Sequence, residues 1–446
     1  MVDRIVFVSN HGESLPLVYR LKKMGIFCPI YLHNPQCQHL YDGLINTKVD
    51  LKGLRKALLN TEIVVFDTIK RNEKKRHDGA LLKTFGLKAN VKELFGAVAD
   101  KLKKDHKVYG GSEATGEIEL DRFKGEELAR GAGLLVPETH RFKNLNEGIK
   151  FLKARRDLWV FKPHHNLNLD LTYVEQYSGE LIGKMQYEYM SRIGNNVEYI
   201  LQKFIEGQEI DTESWFDGEN FINHNFTLED KRLMDGQLGL AIGSQSNIVW
   251  LKKQSDFLNK ETENMKSFLK SAKYMGPVSF NVIINKDDHK PYFLEHTCRC
   301  GYDALYCLLT LLDSPLQDFF LNDFKGKFYD GFACSQRISI PPYPYYDEDL
   351  LEDYAKNISI KIKPKNFLFF WGEDIYMNSG KLMCAGSDGI IGVVTGRGKN
   401  PQEAWNACYQ NVKKLQIGTY TQYRLDGMPR SLKKMNTLKD IGINVA

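Results

Sequence analysis

The chain has 446 residues, room for about three domains, and its 42% hydrophobic and 26% charged residues are the mix of an ordinary globular protein. With 61 basic against 56 acidic side chains the net charge is only +5, which does not call for nucleic acid and suits a small anionic substrate. No apolar run reaches the ~18 residues that cross a bilayer, "MVDRIVFVSN" is not built as a signal peptide, and eight cysteines without a framework spacing read as reduced thiols. The expectation is a cytoplasmic protein with no membrane and no nucleic-acid partner.

The first predicted element is a strand of buried type, "RIVFVSN" (4–10). An apolar-periodic helix over "SLPLVYRLKKMG" follows, ending at Gly25, and then a second strand, "CPIYLHN" (28–34). "TEIVVFDTI" (61–69) reads as a third strand and "VKELFGAVADKLKK" (91–104) as a helix. Strands alternating with helices predict a parallel sheet with helices on its faces. "SNHGES" offers one glycine where a dinucleotide fold wants three, which argues against a nicotinamide cofactor. "IKRNEKKRHDG" (69–79) reads as a solvated charge run. The middle is mixed, with helical patterns at 122–132 and 256–273 and strands near 157–162, 197–204, 277–285 and 291–297. From about 335 strand and turn signals dominate, finishing with a helix near 402–414. No period of 20–50 residues repeats, so this is not a solenoid.

"KPYFLEHTCRCG" (290–301) carries the densest chemistry. On a strand successive side chains alternate, so Glu295, Thr297 and, if the strand continues, Arg299 share one face while His296, Cys298 and Cys300 point the other way. Zinc wants about four nitrogen or sulfur ligands, and no second cysteine pair lies nearby, so the thiols read as packing on the back of the strand. A carboxylate, an oxygen ligand and an arginine instead suit Mg²⁺ shared with phosphates. "GPVSFNVIIN" adds Asn281 as a further oxygen ligand. "YILQKFIEGQEID" (199–211) reads as a strand leading into an acidic turn, Glu206-Gly207-Gln208-Glu209, a hinge that can read adenine and reach a ribose. With Lys162 at the end of "LWVFKP" and Arg122 at a helix start, these parts make an ATP pocket without a P-loop, since no G-x4-G-K-[ST] occurs.

The order of these parts resembles the ATP-grasp superfamily and, within it, the phosphoribosylamine–glycine ligases. "KVYGGSEATGEIELDRF", "LQKFIEGQE", "LEDKRLMDGQ", "FLEHTCRCG" and the long C-terminal match over "SDGIIGVVTGRGKNPQEAWNACYQNV" and "YRLDG" carry the likeness. It implies an α/β and α+β multidomain chain. An N-terminal parallel α/β (pre-ATP-grasp) domain would span 1–118 and an ATP-grasp domain 119–334, with a lid at about 124–200. A small C-terminal β-rich domain would span 335–446. The resemblance further implies Arg122 and Lys162 at the phosphates, Gln202, Phe204 and Ile205 at adenine, and Glu209 at ribose. Lys231, Arg232 and Arg299 would serve the reacting groups, and Glu295, Thr297 and Asn281 the metal, Mg²⁺ with Mn²⁺ as the alternative.

The implied reaction joins a carboxylate to an amine through an acyl phosphate, in purine biosynthesis for that family. Its partners would be small molecules, an amino acid or other carboxylate and an amine with or without a phosphoribosyl group, in a monomer or dimer. The departures from the family lie on the substrate side. "PHHNLNLDLTYVEQ" replaces the glycine-rich flap, and glycine is what lets backbone amides approach phosphates. His164 and His165 within it read as a solvated loop, with substrate contact as the alternative. Thr297 stands where the family has an asparagine, and "GYDA" where it has "GDPE". Two other readings stay open: the same ligation with a different acid and amine, and a nucleotide-binding protein that has lost turnover.

Overall fold

The computed structural model describes residues 5–68, 78–91, 93–163, 171–252, 256–345, 348–363, 367–418 and 420–443. Residues 69–77 of the charge run and 164–170 of the segment that replaces the flap, among them His164 and His165, lie outside them.

Five strands, β1 (Ile5–Ser9), β2 (Ile30–Leu32), β3 (Lys48–Val49), β4 (Ile63–Phe66) and β5 (Lys107–Tyr109), pair in parallel in the order β3-β2-β1-β4-β5. The helices α1 (Leu15–Lys23), α2 (Leu51–Leu58), α3 (Asp78–Thr84) and α4 (Leu94–Leu102) accompany them. Both faces of the sheet are buried, which is why its strands are continuous apolar runs. Val6, Val8, Val64 and Phe66 pack with Leu54, Leu81, Phe95 and Val98, whereas Ile5, Phe7, Ile63 and Val65 join the main core with Leu17 and Val18.

Two short helices, α5 (Glu113–Leu120) and α6 (Arg122–Gly131), lead to a four-stranded antiparallel sheet. It consists of β6 (Thr139–Phe142), β7 (Trp159–Pro163), β8 (Tyr173–Val174) and β9 (Tyr199–Lys203), ordered β6-β9-β7-β8. Its helices are α7 (Leu145–Lys153), α8 (Glu180–Gly183) and α9 (Met190–Ile193). Trp159, Phe161, Tyr189 and Tyr199 give this unit its own core.

The large sheet follows, built on β10 (Gly207–Phe216), β11 (Phe221–Met234), β12 (Leu238–Leu251), β13 (Gly276–Asn285), β14 (Pro291–Thr297) and β15 (Phe332–Ser339). The helices α10 (Asp256–Ser271), α11 (Tyr302–Leu311) and α12 (Leu316–Leu321) lie among these strands in the chain. The C-terminal part holds β16 (Ser359–Ile362), β17 (Phe370–Gly372), β18 (Ile375–Asn378), β19 (Lys381–Cys384), β20 (Ile390–Gly398) and β21 (Leu415–Ile417), with α13 (Glu348–Tyr354), α14 (Pro401–Val412) and α15 (Gly427–Asp440). Strands β17 and β20 complete an eight-stranded sheet, β14-β13-β10-β11-β12-β15-β20-β17.

Four differences from the sequence reading have physical reasons. The expected acidic turn is shorter, because Gly207, Gln208 and Glu209 already pair with Asn285, Ile284 and Ile283. The long β11–β12 hairpin has no clear apolar alternation, since its charged face is held by cross-strand pairing. Helix α15 lies beyond the expected last helix; its buried stripe is only Gly427, Ser431, Met435 and Leu438, a faint periodic signal. The domain boundary expected at 334/335 falls inside β15, which continues the large sheet. Among the described residues no helix is long and apolar enough to cross a membrane.

Gly207 starts β10 where a Cβ would stand 1.9 Å from the Ile284 carbonyl oxygen, whereas a Cβ at Gly131 in α6 would meet nothing. Gly207→Ala is therefore expected to lose about 1–3 kcal/mol by overpacking, and Gly131→Ala to gain up to about 1 kcal/mol of helix propensity. Thermal melts should move in opposite directions for the two variants.

Candidate functional site

The alternation Glu209-x-Asp211-x-Glu213 along β10 puts three carboxylates on one face of the large sheet. The registers extend this face sideways. Asp211 stands opposite Asn281, which stands opposite Glu295; Glu213 stands opposite Ser279, which stands opposite Thr297. A register shift between Asn281 and Val282 decides what β14 presents. Because of it Glu295 and Thr297 face the site, while Phe293 turns to the other side with His296 and Phe280. His296 packs against both rings, and burial pushes its imidazole down to about 3, so it is a neutral core group. Cys298 and Cys300 are buried thiols, and burial pushes both upward.

Three cations reach Glu295 from different elements. Arg122 is the first residue of α6, whose start is capped by the Asp121 carboxylate accepting from the Lys124 N–H at 3.3 Å. Its Nη1 donates to Glu295 Oε2 at 2.6 Å. Lys162 projects from β7 and is buried. Lys231, on β11, donates to Glu209 and lies 3.8 Å from Glu229. Burial raises the Glu295 carboxyl, but Arg122, Lys231 and Lys162 outweigh it and hold the group at about 2, ionised. Burial takes the Lys162 ammonium down to about 8, helped by repulsion from Arg122 and opposed by Glu295, Glu126 and Glu209.

Other carboxylates behave differently. Burial lifts Asp211 and Glu213 to about 7 and Glu229 to about 8. Glu209 is lowered instead, because Lys231 and a hydrogen bond from Asn281 overcome its burial. That bond occupies the Asn281 amide nitrogen and leaves Oδ1 buried without a partner. An orphaned buried oxygen directly across from an ionised carboxylate fits a divalent cation. Thr297 stands on the same face one step further along β14.

The strand does not continue to Arg299: β14 ends at Thr297, and Arg299 lies in the segment before α11. Glu119 of α5 holds it there: Oε1 accepts from Arg299 Nε and Oε2 from the Cys298 N–H, each at 3.0 Å. Gln202 is buried in β9 and donates to Glu126 Oε1 at 2.7 Å. Phe204 and Ile205 form the connection from β9 to β10, where the Phe204 N–H donates to the Leu158 carbonyl at 2.9 Å. Arg232 is not brought to this group. It alternates to the opposite side of β11 from Lys231 and donates to the Gly239 carbonyl across the hairpin.

The sequence reading missed Glu119, Glu126 and the pair Asp211 and Glu213. The period-two acidic pattern on β10 was the available signal for the last two; nothing local marks the others. It also missed the buried pair Arg337–Asp303, in which Nε and Nη2 donate to the two carboxylate oxygens at 3.0 and 2.8 Å.

No family model matches the chain. It is similar to the phosphoribosylamine–glycine ligase of Thermotoga maritima, at 25% identity over 237 residues covering 51% of this chain and 56% of that protein. A Helicobacter pylori protein of the same name is 23% identical over 324 residues, covering 69% and 73%. The chain thus spans little more than half the length of the first of these relatives. Among solved structures, the Thermotoga maritima phosphoribosylamine–glycine ligase superposes with a TM-score of 0.67 at 17% identity, over 95% of this chain and 99% of that one. The biotin carboxylase domain of Hydrogenobacter thermophilus 2-oxoglutarate carboxylase, solved with MgADP, does so at 0.63 and 13% identity, over 100% of both. The fold is the ATP-grasp fold.

Because Lys162 is held near 8, its charge falls in the range of ordinary buffers. MgATP affinity is expected to be level at lower pH and to weaken above about pH 8, approaching about tenfold per pH unit as the ammonium deprotonates. Lys162→Met should bind weakly and lose that slope. Calorimetric titration between pH 6.5 and about 9.5 reads both.

Proposed function

Taking the ATP-grasp fold and the ligase relatives as the premise, we propose that the chain is an ADP-forming carbon–nitrogen ligase that joins a carboxylic acid to an amine. The observation that carries this reading is the Glu295 carboxylate, kept ionised among Arg122, Lys162 and Lys231 beside the unpartnered Asn281 oxygen. Such an arrangement is suited to a polyphosphate and its cation. Glu295, Asn281 and Thr297 would hold Mg²⁺, which when bound neutralises charge on the phosphate oxygens.

The substrate carboxylate oxygen attacks the γ-phosphorus, the bond from that phosphorus to the β–γ bridging oxygen breaks, and ADP leaves. The amine nitrogen then attacks the acyl carbon, phosphate departs with the oxygen it carries, and the amine loses a proton. Arg122, Lys162 and Lys231 offer positive charge to phosphate oxygens in the first step, and Arg299, oriented by Glu119, to the acyl phosphate. The chain supplies position and charge rather than a nucleophile. Gln202, Phe204 and Ile205 line the connection where adenine would sit. Glu209 is tied to Lys231 and Asn281, so its side chain serves the phosphate end as well as any ribose.

Glycine and phosphoribosylamine are the substrate pair we propose first, from the relatives. A different acid and amine is the second reading, favoured by the departures on the substrate side, where "GYDA" stands for the family's "GDPE" and the glycine-rich flap is replaced. The test is Mg²⁺-dependent ADP release with freshly generated phosphoribosylamine and glycine, then with other amino acids and amines. Release that needs both co-substrates and falls at least about 100-fold in Arg299→Ala supports the ligase, a loss in the range of removing one charge-stabilising donor. Release with another pair moves the substrate and keeps the chemistry. ATP binding without release from any pair makes the chain a nucleotide-binding protein.

A further inference from the structure

The C-terminal sequence "YRLDG" (423–427) contributes no group to the cleft, yet it holds one of the largest fully buried side chains of the molecule, Arg424, at 0% exposure. Its guanidinium donates to both oxygens of Asp426, from Nε at 2.8 Å and Nη2 at 2.7 Å. Nη1 reaches across to the β11–β12 hairpin, to the Arg232 carbonyl at 2.9 Å and to Gln237 Oε1 at 3.1 Å. The hairpin answers in kind: the Gly236 N–H donates to Asp426 Oδ2 and Asp235 Oδ1 accepts from the Leu425 N–H, each at 2.9 Å. One helix turn further on, Arg430 and Lys434 of α15 both donate to Asp230 at 2.8 Å, and Lys434 also donates to the Glu229 carbonyl.

These contacts land on alternate residues of β11. Asp230 and the Arg232 main chain are gripped from behind, while Glu229 and Lys231 between them look into the cleft. A strand held at 230 and 232 cannot slip by one residue without turning Lys231 out of the cleft. The attachment is itself anchored, since the Gly427 N–H donates to Tyr409 Oη of α14 at 3.0 Å and Gly427 lies against the Trp405 ring.

We propose that Arg424 is a positioning residue for Lys231: the C-terminal motif clamps the β11–β12 hairpin in the register that delivers the Lys231 ammonium to Glu209 and Glu295. This rests on the reading of the cleft as the ligase site, but its structural half can be tested apart from turnover. Amide hydrogen exchange across 229–241 is measured in the wild type, Arg424→Met and Arg424→Lys, with β7 and β9 as internal controls. Met is expected to speed exchange in the hairpin at least tenfold with β7 and β9 unchanged, and Lys to restore part of the protection. In parallel, kcat/KM for MgATP is compared among Arg424→Met, Lys231→Met and the double variant. The double variant is expected to be no worse than Lys231→Met alone, because both changes remove the same ammonium from the cleft.

Unchanged exchange in the hairpin, or losses that multiply in the double variant, overturns the proposal. If the wild type releases no ADP with any substrate pair, the ligase reading fails while the exchange experiment still decides the clamp. Should Arg424→Met not fold, Gln237→Met, which removes one Arg424 acceptor and the Gln237 donation to Asp230 at 3.4 Å, is expected to give the same localised exchange on a smaller scale; no change there also overturns it.

Discussion

Three cations from three separate segments converge on one carboxylate, and the arrangement of the whole cleft follows from that convergence. Arg122 arrives at the start of a helix, Lys162 from the smaller antiparallel sheet and Lys231 from the long hairpin. Each is costly to hold near the others and partly out of water; Glu295 offsets that cost, and its own ionisation depends on them. The position of Glu295 depends in turn on a single irregularity, the register shift between β13 and β14. Without it the carboxylate would share its face with Phe293.

The remaining carboxylates show how the face is graded. Glu295 and Glu209, each with a cation in contact, sit below the ordinary range, whereas Asp211, Glu213 and Glu229 are lifted by burial to about 7 or 8. Charge on this sheet therefore follows direct donation from a cation rather than distance from the hinge, since ionised Glu295 stands level with Asp211 across Asn281.

Much of this was legible in the sequence where chemistry and local pattern coincide. The parallel N-terminal sheet shows as continuous apolar runs, and the face shared by Glu295 and Thr297 follows from strand alternation alone. What could not be read depends on pairing at a distance. Arg232 sits next to Lys231 in sequence and looked equivalent to it, but a strand sends neighbours to opposite sides, and only the pairing says which side is the cleft. Glu119 belongs to a helix with no marked polarity, and its role appears only when Arg299, 180 residues later, comes to lie against it. The "YRLDG" segment carried a strong family likeness and no chemistry of its own; its partners are charged groups on a hairpin that itself has little apolar pattern.

The smaller sheet joins the rest of the molecule through two crossings that lie side by side. The chain enters at Glu138–Thr139 and leaves at Gln202–Lys203, where Thr139 is paired with Gln202 and the Lys203 N–H donates to the Glu138 carbonyl at 2.8 Å. Two adjacent strands crossing together act as one hinge pin: they permit rotation about a line and resist shear. Lys162 stands on one side of these crossings and Glu295 on the other, so the attraction between them ties the smaller sheet to the large one. Loss of the ammonium above about pH 8 removes that tie.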